Sequence, residues 1–230
     1  MPKTICTISL IVVLLASNVS CRQQDGPSEL ARTISEVPSS TNNEERDEPI
    51  FFDGETSTKT IPGGYLGIDS DDAIRMMNLH IADEDRLVEL IDSAPSATSI
   101  NLEFSIIEES AVKIVCRCRE LEEIFLGMPE DFGQSGLFTN NSLEMLSKLP
   151  KLRVVHIRSR KIDDRGIPHL AKLRHLEELN LRGCDLTDAS IDSFAKLDKL
   201  CYLNVSNTKI SDDAISKLRK LNPSLRIDNF

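Results

Sequence analysis

Apolar residues in the second half of the chain recur with a constant spacing. Leu152, Leu176 and Leu200 stand 24 residues apart, and each is followed by apolar residues three and five positions later. Apolar residues at alternate positions predict a short strand with one buried face. Two more apolar residues follow ten and fifteen residues after each of these leucines: Ile162, Leu186, Ile210, Ile167, Ile191 and Ile215. This period predicts stacked units that share one core.

The residues of these units also fit the pattern of a known family. Residues 156–167 are HIRSRKIDDRGI, residues 180–191 are NLRGCDLTDASI and residues 204–215 are NVSNTKISDDAI. The pattern L-x-x-L-x-L-x-x-[N/C/T]-x-L resembles the leucine-rich repeat, and Cys184 and Thr208 at its variable position resemble the cysteine-containing subclass. The resemblance runs from residue 152 to the end. It implies an α/β solenoid with short parallel strands on the concave side and helices on the convex side.

Weaker units precede the regular ones. Leu121, Ile124 and Leu126 begin a unit that is seven residues longer than the others, and its additional residues fall in a loop within residues 127–141. Ile100 and Leu102 predict an earlier strand. Residues 71–94 are predicted to form an N-terminal helical cap or an imperfect unit. The pattern therefore predicts about five strands plus caps, and the last open edge is expected to be covered by Leu225, Ile227 and Phe230.

The N-terminal part of the chain has a different composition. Residues 8–16 are an almost unbroken apolar run, too short for a transmembrane helix, and Ser20 precedes Cys21. Residues 1–21 resemble a bacterial lipoprotein signal in which Cys21 becomes lipidated, although Asn18 stands where that family prefers Leu. Plain secretion and an uncleaved N-terminus are the alternatives. We predict that residues 22–64 form a disordered acidic tether and residues 65–230 the repeat domain.

Charge changes sign along the chain. Residues 65–145 carry 17 acidic and 5 basic side chains, whereas residues 146–230 carry 11 and 17. The whole chain has a formal net charge of −10, which argues against a general nucleic-acid binder. Acidic residues and Thr or Ser stand where each helix is predicted to begin, and Lys and Arg stand where it ends, as the helix dipole favours. The basic residues could also meet an acidic partner, such as anionic lipid headgroups or the chain's own acidic part.

The cysteines are the residues most suggestive of chemistry, and their positions favour packing. Cys184 occupies the variable position of its unit, where the resemblance implies an inward side chain that hydrogen-bonds backbone of the next coil. Cys116 and Cys118 align with Ala171 and Leu173 of a later unit, so both are predicted in the core. A metal site would need further Cys or His ligands at zinc spacing, which the neighbouring sequence does not offer. We expect free thiols; a Cys184–Cys201 disulfide is the alternative.

The sequence offers no catalytic motif: neither G-x-S-x-G, H-E-x-x-H nor a phosphate-binding glycine loop is present. We therefore predict a protein that is not an enzyme and uses no metal or cofactor. Side chains between the buried strand positions point out of the concave sheet. They are predicted to bind a partner there: Phe125, His156, Arg158, Glu178, Asn180, Arg182, Tyr202 and Asn204. The 127–141 loop is expected to overhang this face with Phe132 or Phe138.

The function predicted from these features is protein–protein interaction. A monomeric, exported and lipid-anchored module would bind a protein or another envelope component on its concave face. The alternative is a structural cell-envelope protein without a dedicated ligand. The cysteine-containing subclass also implies the substrate-recognition subunit of a ubiquitin ligase. The export signal and the absence of an F-box-like helical segment before the repeats argue against that role.

Overall fold

The computed structural model describes residues 57–69, 74–81, 83–103, 105–127 and 138–230. The predicted signal, the lipidation site Cys21 and residues 22–56 of the predicted tether lie outside these residues. Nine strands form one sheet in chain order. They are β1 (Ser57–Ile61), β2 (Gly64–Ile68), β3 (Ile74–Leu79), β4 (Ser99–Asn101), β5 (Glu123–Leu126), β6 (Val154–Ile157), β7 (Glu178–Asn180), β8 (Tyr202–Asn204) and β9 (Arg226–Asp228).

Strand direction divides the sheet into two parts. The first three strands pair antiparallel, whereas β3 to β9 are all parallel, one strand to each unit. A helix connects each parallel strand to the next, and consecutive helices pack against one another. The helices are α1 (Glu84–Ser93), α2 (Ser110–Val115), α3 (Asn140–Leu146), α4 (Ile167–Leu170), α5 (Ile191–Phe194) and α6 (Asp212–Leu221). This is the predicted α/β leucine-rich-repeat solenoid.

The core lies between the sheet and the helices. Residues in register on the parallel strands point into it, and each is at most 6% exposed: Ile100, Ile124, Val155, Leu179, Leu203 and Ile227. The next inward row contains Leu102, Leu126, Ile157, Leu181 and Val205, all buried. The inward register predicted from the apolar spacing is therefore confirmed. In each unit, burial of apolar surface on both rows supplies the main driving force for stacking.

The helices begin at the polar residues that the sequence marks. Thr187 caps a 3₁₀ turn that leads into α5, and its hydroxyl accepts a hydrogen bond from the Ala189 N–H. Ser211 caps α6 by accepting from Ala214 N–H. Thr139 caps α3 in a capping box with Ser142, which the sequence analysis did not single out. Each cap satisfies a backbone donor that the first helical turn leaves open.

The two ends of the solenoid differ from the prediction. Residues 57–61 form β1, although they fall within the segment predicted as a disordered tether, because β1 pairs with β2 in a hairpin. Residues 74–93 form a strand and a helix, so of the two predicted alternatives, a helical cap or an imperfect unit, the structure has the imperfect unit. At the other end β9 adds a repeat strand to the five that were predicted. Leu225 and Ile227 are buried as predicted, but Phe230 is 96% exposed and covers nothing.

Candidate functional site

The concave face is the side of the sheet that points away from the helices. Two rows of side chains run across its parallel strands in register. The first row contains Met76, Ser99, Glu123, Val154, Glu178, Tyr202 and Arg226. The second row contains Asn78, Asn101, Phe125, His156, Asn180, Asn204 and Asp228. Glu103, Arg158 and Arg182 follow directly beyond the strand ends.

Asparagines in the second row fold back on their own backbone. The side-chain oxygens of Asn101, Asn180 and Asn204 accept hydrogen bonds from the N–H two residues later, at 2.9, 3.1 and 2.9 Å. These bonds hold the turn that ends each strand. Asn180 is 7% exposed, so it presents almost no surface to a partner, in contrast to its prediction as a binding residue. Asn204 remains partly exposed and also donates to the Tyr202 hydroxyl at 3.5 Å.

Two rings interrupt the asparagine row at its centre. Phe125 and His156 are register partners, and their ring centroids lie 4.6 Å apart at an interplanar angle of 77°, an edge-to-face contact. His156 Nε2 lies 2.7 Å from Glu178 Oε1 on the next strand. The structure thus brings three of the predicted binding residues together. The ring of His156 is fixed on both sides, which makes this part of the face rigid.

A second aromatic cluster lies near the C-terminal end of the face. The Tyr202 hydroxyl donates to Asp228 Oδ2 at 2.8 Å, and the Arg226 guanidinium lies 5.2 Å from the centre of the Tyr202 ring. Burial, followed by the bond to Asp228, raises the pKa of Tyr202 to about 12. Arg226 and Asp228 were not among the predicted binding residues, because residues 225–230 were expected to form a cap. The signal was available: Arg226 stands 24 residues after Tyr202.

The acidic side of the face is formed by Glu123, which is half-buried in the first row. Burial raises the pKa of its carboxyl group, against the opposing effects of a Ser99 hydrogen bond and the Arg153 charge. Glu122 and Glu178 add further like charge and raise the pKa in the same direction. The carboxyl group of Glu123 therefore stays protonated up to a higher pH than that of an exposed glutamate.

Arginines stand beyond the strand ends. Arg158 Nη2 lies 3.6 Å from Glu103 Oε1, within ion-pair distance but beyond a hydrogen bond. Arg158 Nε and Glu103 Oε1 are both buried and have no hydrogen-bond partner among the described residues. Arg182 is exposed, and its backbone N–H, but not its guanidinium, takes part in the asparagine turn. Arg182 is thus the predicted binding residue whose charged group is most available to a partner.

The four cysteines of the described residues are free thiols. Cys184 is 2% exposed and its Sγ lies 3.6 Å from the Ile157 carbonyl, so it bonds the preceding coil rather than the next one as expected. Burial raises its pKa to about 12, which makes it a poor nucleophile. Cys118 is buried as predicted, with a pKa raised to about 11, chiefly by burial. Cys116 is only partly buried, unlike the predicted core residue.

Phe138 and Arg160 belong to the surroundings of the face. Phe138 is 1% exposed and packs in the core, so it does not overhang the sheet; Phe132 lies outside the described residues. Arg160, at the position equivalent to Cys184, is exposed, because Ser159 turns inward and donates to the Phe138 carbonyl instead.

Among residues 57–69, 74–81, 83–103, 105–127 and 138–230, no three His, Cys, Asp or Glu side chains are grouped to hold a metal ion. The same segments contain no helix long and apolar enough to span a bilayer.

Comparisons with known proteins bear on the fold. The family model described as "Leucine Rich repeat" matches residues 172–195. No curated protein matches the chain. Among solved structures, an internalin (InlF) of Listeria monocytogenes is 19% identical with a TM-score of 0.47, and the match covers 67% of this chain and 46% of that one. This chain thus spans about half the length of that internalin.

Two other solved structures are similar to the same degree. The internalin C2 of Listeria monocytogenes is 22% identical with a TM-score of 0.43, covering 70% of this chain and 68% of that chain. A leucine-rich-repeat protein of Leptospira interrogans is 18% identical with a TM-score of 0.42, covering 67% and 36%. The family match falls on the unit that supplies β7 and α5, between other units of the same spacing. Residues 172–195 are therefore a leucine-rich repeat, and they lie within an α/β leucine-rich-repeat solenoid.

Proposed function

We propose that this protein is a non-enzymatic interaction module that binds a partner protein on its concave face. The observation that carries the proposal is the composition of that face. Phe125 stands against His156, and Tyr202 stands beside the Arg226 cation, each pair on neighbouring parallel strands. Aromatic residues and arginine are the usual anchors of protein interfaces, and a repeat sheet presents them in a continuous row.

Two features of the face support a binding role. The His156 ring is held between Phe125 and Glu178, so little conformational entropy would be lost when a partner covers it. Arg182 adds an exposed guanidinium just beyond the end of β7, the strand that pairs with the strand of His156. A partner with an apolar side chain for Phe125 and a carboxylate for Arg182 would match both. The alternative, a structural envelope protein without a ligand, predicts that neither group matters.

We further propose that the module is exported and attached to a membrane through a lipid on Cys21. The support is the sequence of residues 1–21, in which an apolar run ends at Ser20 and Cys21. Intact-mass measurement of the mature protein tests the proposal directly. A lipidated protein beginning at Cys21 has a mass that neither the full chain nor a plainly secreted form can have. The variant Cys21→Ser should lose the added mass and leave the membrane fraction.

Site-specific photo-cross-linking in intact cells tests the binding role. A photoreactive residue replaces Arg182 on the concave face, and in a matched variant it replaces Lys113, which is exposed on helix α2. We expect position 182 to yield a discrete cross-linked species that position 113 does not yield. In a protein that carries the photoreactive residue at position 182, the additional substitution Tyr202→Ala should reduce the yield of this cross-linked species. Identical patterns at both positions would contradict the binding role and favour the structural one.

A further inference from the structure

Basic side chains recur at the C-terminal ends of the last four helices or in the turns that follow them. Lys148, Lys172, Lys196 and Lys220 stand 24 residues apart, and Lys151, His175 and Lys199 repeat this spacing three positions later. Strands β6 to β9 are paired in register, so these residues are aligned along the rim where helices end and strands begin. We use the name cationic rim for the C-terminal part of this series: Lys172, Arg174, Lys196, Lys199 and Lys220, all exposed.

The N-terminal part of the same rim is neutralised by neighbouring acids. Lys151 forms an ion pair with Glu120, and Lys148 Nζ lies 3.7 Å from Glu144 Oε1. Arg117, which precedes Lys148 in the series, pairs with Asp92. Each of these pairs joins a basic residue to an acid of its own or the preceding unit. Positive charge in this part of the rim is therefore balanced within the protein.

No such balance exists on the cationic rim. Within the described segments, no carboxylate oxygen lies within 4 Å of the charged nitrogens of its five basic residues. The ammonium group of Lys199 donates to His175 Nδ1 at 3.2 Å, so it contacts another basic residue instead of an acid. Asp198 is exposed and one residue from Lys199. Glu177, at the same edge, is paired with Arg153, so the five basic groups leave a concentrated positive surface.

We propose that the cationic rim docks on the anionic headgroups of a lipid bilayer. The rim is an exposed edge of turns and one helix end and not a groove, so it fits a flat surface better than it would enclose a polymer. Leu221 stands beside Lys220 and is 53% exposed, which adds an apolar side chain at the same edge. Each lysine near an anionic bilayer is expected to strengthen binding about fivefold. A shallow apolar contact adds to that attraction.

This docking orients the concave face. The rim joins the sheet to the helices, so a bilayer at the rim leaves the row from Phe125 to Tyr202 open to the side. The inference rests on the membrane attachment in the proposed function, because a tethered domain meets the bilayer at high effective concentration. It does not depend on any partner at the concave face. Variants of the rim and of the concave face should therefore act independently.

Vesicle sedimentation with the full chain carrying Cys21→Ser tests the proposal without an acyl chain. One set of vesicles is pure phosphatidylcholine, and the other contains about one third phosphatidylglycerol. The rim variant combines Lys172→Gln, Lys196→Gln and Lys220→Gln. The control removes the same charge elsewhere through Lys113→Gln, Arg160→Gln and Lys161→Gln, which are exposed and lie off the rim. Arg182→Glu serves as the concave-face variant.

We expect the protein to bind the anionic vesicles and not the pure phosphatidylcholine vesicles. The rim variant should partition at least about tenfold more weakly onto the anionic vesicles, whereas the charge control and Arg182→Glu should change little. Raising the salt concentration should weaken the binding, since exposed charges are screened. Equal loss in the rim and control variants would overturn the proposal, because net charge would then explain the binding. Binding to both vesicle types, or to soluble polyphosphate but not to vesicles, would overturn it as well. If position 182 gives no partner cross-link while vesicle binding is intact, the result would contradict the partner-binding role in the proposed function. It would leave the docking of the cationic rim in place.

Discussion

The carboxylate of Asp164 accepts two hydrogen bonds from Thr187 in the next repeat, one from its backbone N–H at 2.9 Å and one from its hydroxyl at 2.6 Å. Ser190 donates to the same carboxylate. Thr187 caps the helical turn of its own unit, so Asp164 fixes the start of one helix from the unit before it. The relation recurs along the solenoid, as Glu109 with Thr139 and Asp188 with Ser211. Adjacent units are thus joined by charge-assisted bonds outside the apolar core.

Replacing Asp164 by alanine should destabilise the protein by about 1–3 kcal/mol, because it leaves three donors on Thr187 and Ser190 without their charged acceptor. Urea denaturation followed by circular dichroism measures the change in the free energy of unfolding. Asp198→Ala is the matched control, since Asp198 is exposed and lies within the same repeat series. A loss for Asp198→Ala as large as that for Asp164→Ala would show that the cross-repeat bonds contribute nothing specific.

Acid should weaken these cross-repeat contacts. The Ser211 N–H and hydroxyl bonds hold the pKa of Asp188 below its ordinary value. Partial burial would raise the pKa of Glu109, but bonds from Thr139 and Ser142 outweigh it and the pKa is lowered. A carboxylate with a lowered folded pKa contributes stability above its unfolded pKa and loses it as the pH falls through the folded value. We therefore expect stability to decline below about pH 4.

The variant Asp188→Asn isolates one of these contributions. It should be less stable than the wild-type protein at pH 7, and the difference should shrink as the pH falls from about 4 to 2. Urea titrations at several pH values give the two curves. A difference that stays constant across this range would mean that the charge of Asp188 has no part in the contact with Ser211.

The apolar core yields a prediction about the stacking itself. Leu179 is fully buried between Val155 and Leu203, its register partners on the flanking strands. Leu179→Ala should cost about 2–5 kcal/mol, from lost burial and the cavity left behind. Leu221→Ala removes the same atoms from a side chain that is 53% exposed, and it should cost far less. Chemical denaturation of both variants measures the contrast; equal costs would contradict the inward register.

The spacing of apolar residues was sufficient to predict which strand positions are buried. Leu179 and Ile191 follow from a 24-residue period alone, because a buried position in one unit must stack on the same position of its neighbours. Thr187 and Ser211 as helix caps also follow, since capping depends on local sequence. Strand β9 was not predicted as a repeat strand. The leucine that would begin its unit is Leu225, which is one residue later than the 24-residue period after Leu200 requires.

Other features depend on distances that a period does not contain. Asn180 alternates outward by position, yet it is 7% exposed and its carboxamide oxygen accepts from the Arg182 N–H. The bonds between Asp164 and Thr187 require the rise between units as well as their sequence. The β1–β2 hairpin was missed because residues 57–61, STKTI, are mostly polar and partly exposed, so apolar alternation gives no signal there.

The concave face itself provides the last prediction. Burial raises the pKa of Glu123, so the ionised form of this carboxyl group is disfavoured in the folded protein. The neutral carboxyl group makes its full contribution to folding stability below the pKa of the unfolded state. That contribution is lost as the pH rises through the pKa of the folded state. Glu123→Gln mimics the neutral acid, and it should be more stable than the wild-type protein at pH 7 but not at pH 3. Urea titrations at both values test this.

Glu108→Gln, at an exposed position close to helix α2, is the control and should change little at either pH. A stabilisation by Glu123→Gln that is equal at both pH values would contradict the prediction, because it would have to arise from packing and not from charge. The expected pH dependence has a functional consequence. Glu123 lies in the first row between Ser99 and Val154, where a basic group of a bound partner would stabilise its ionised form.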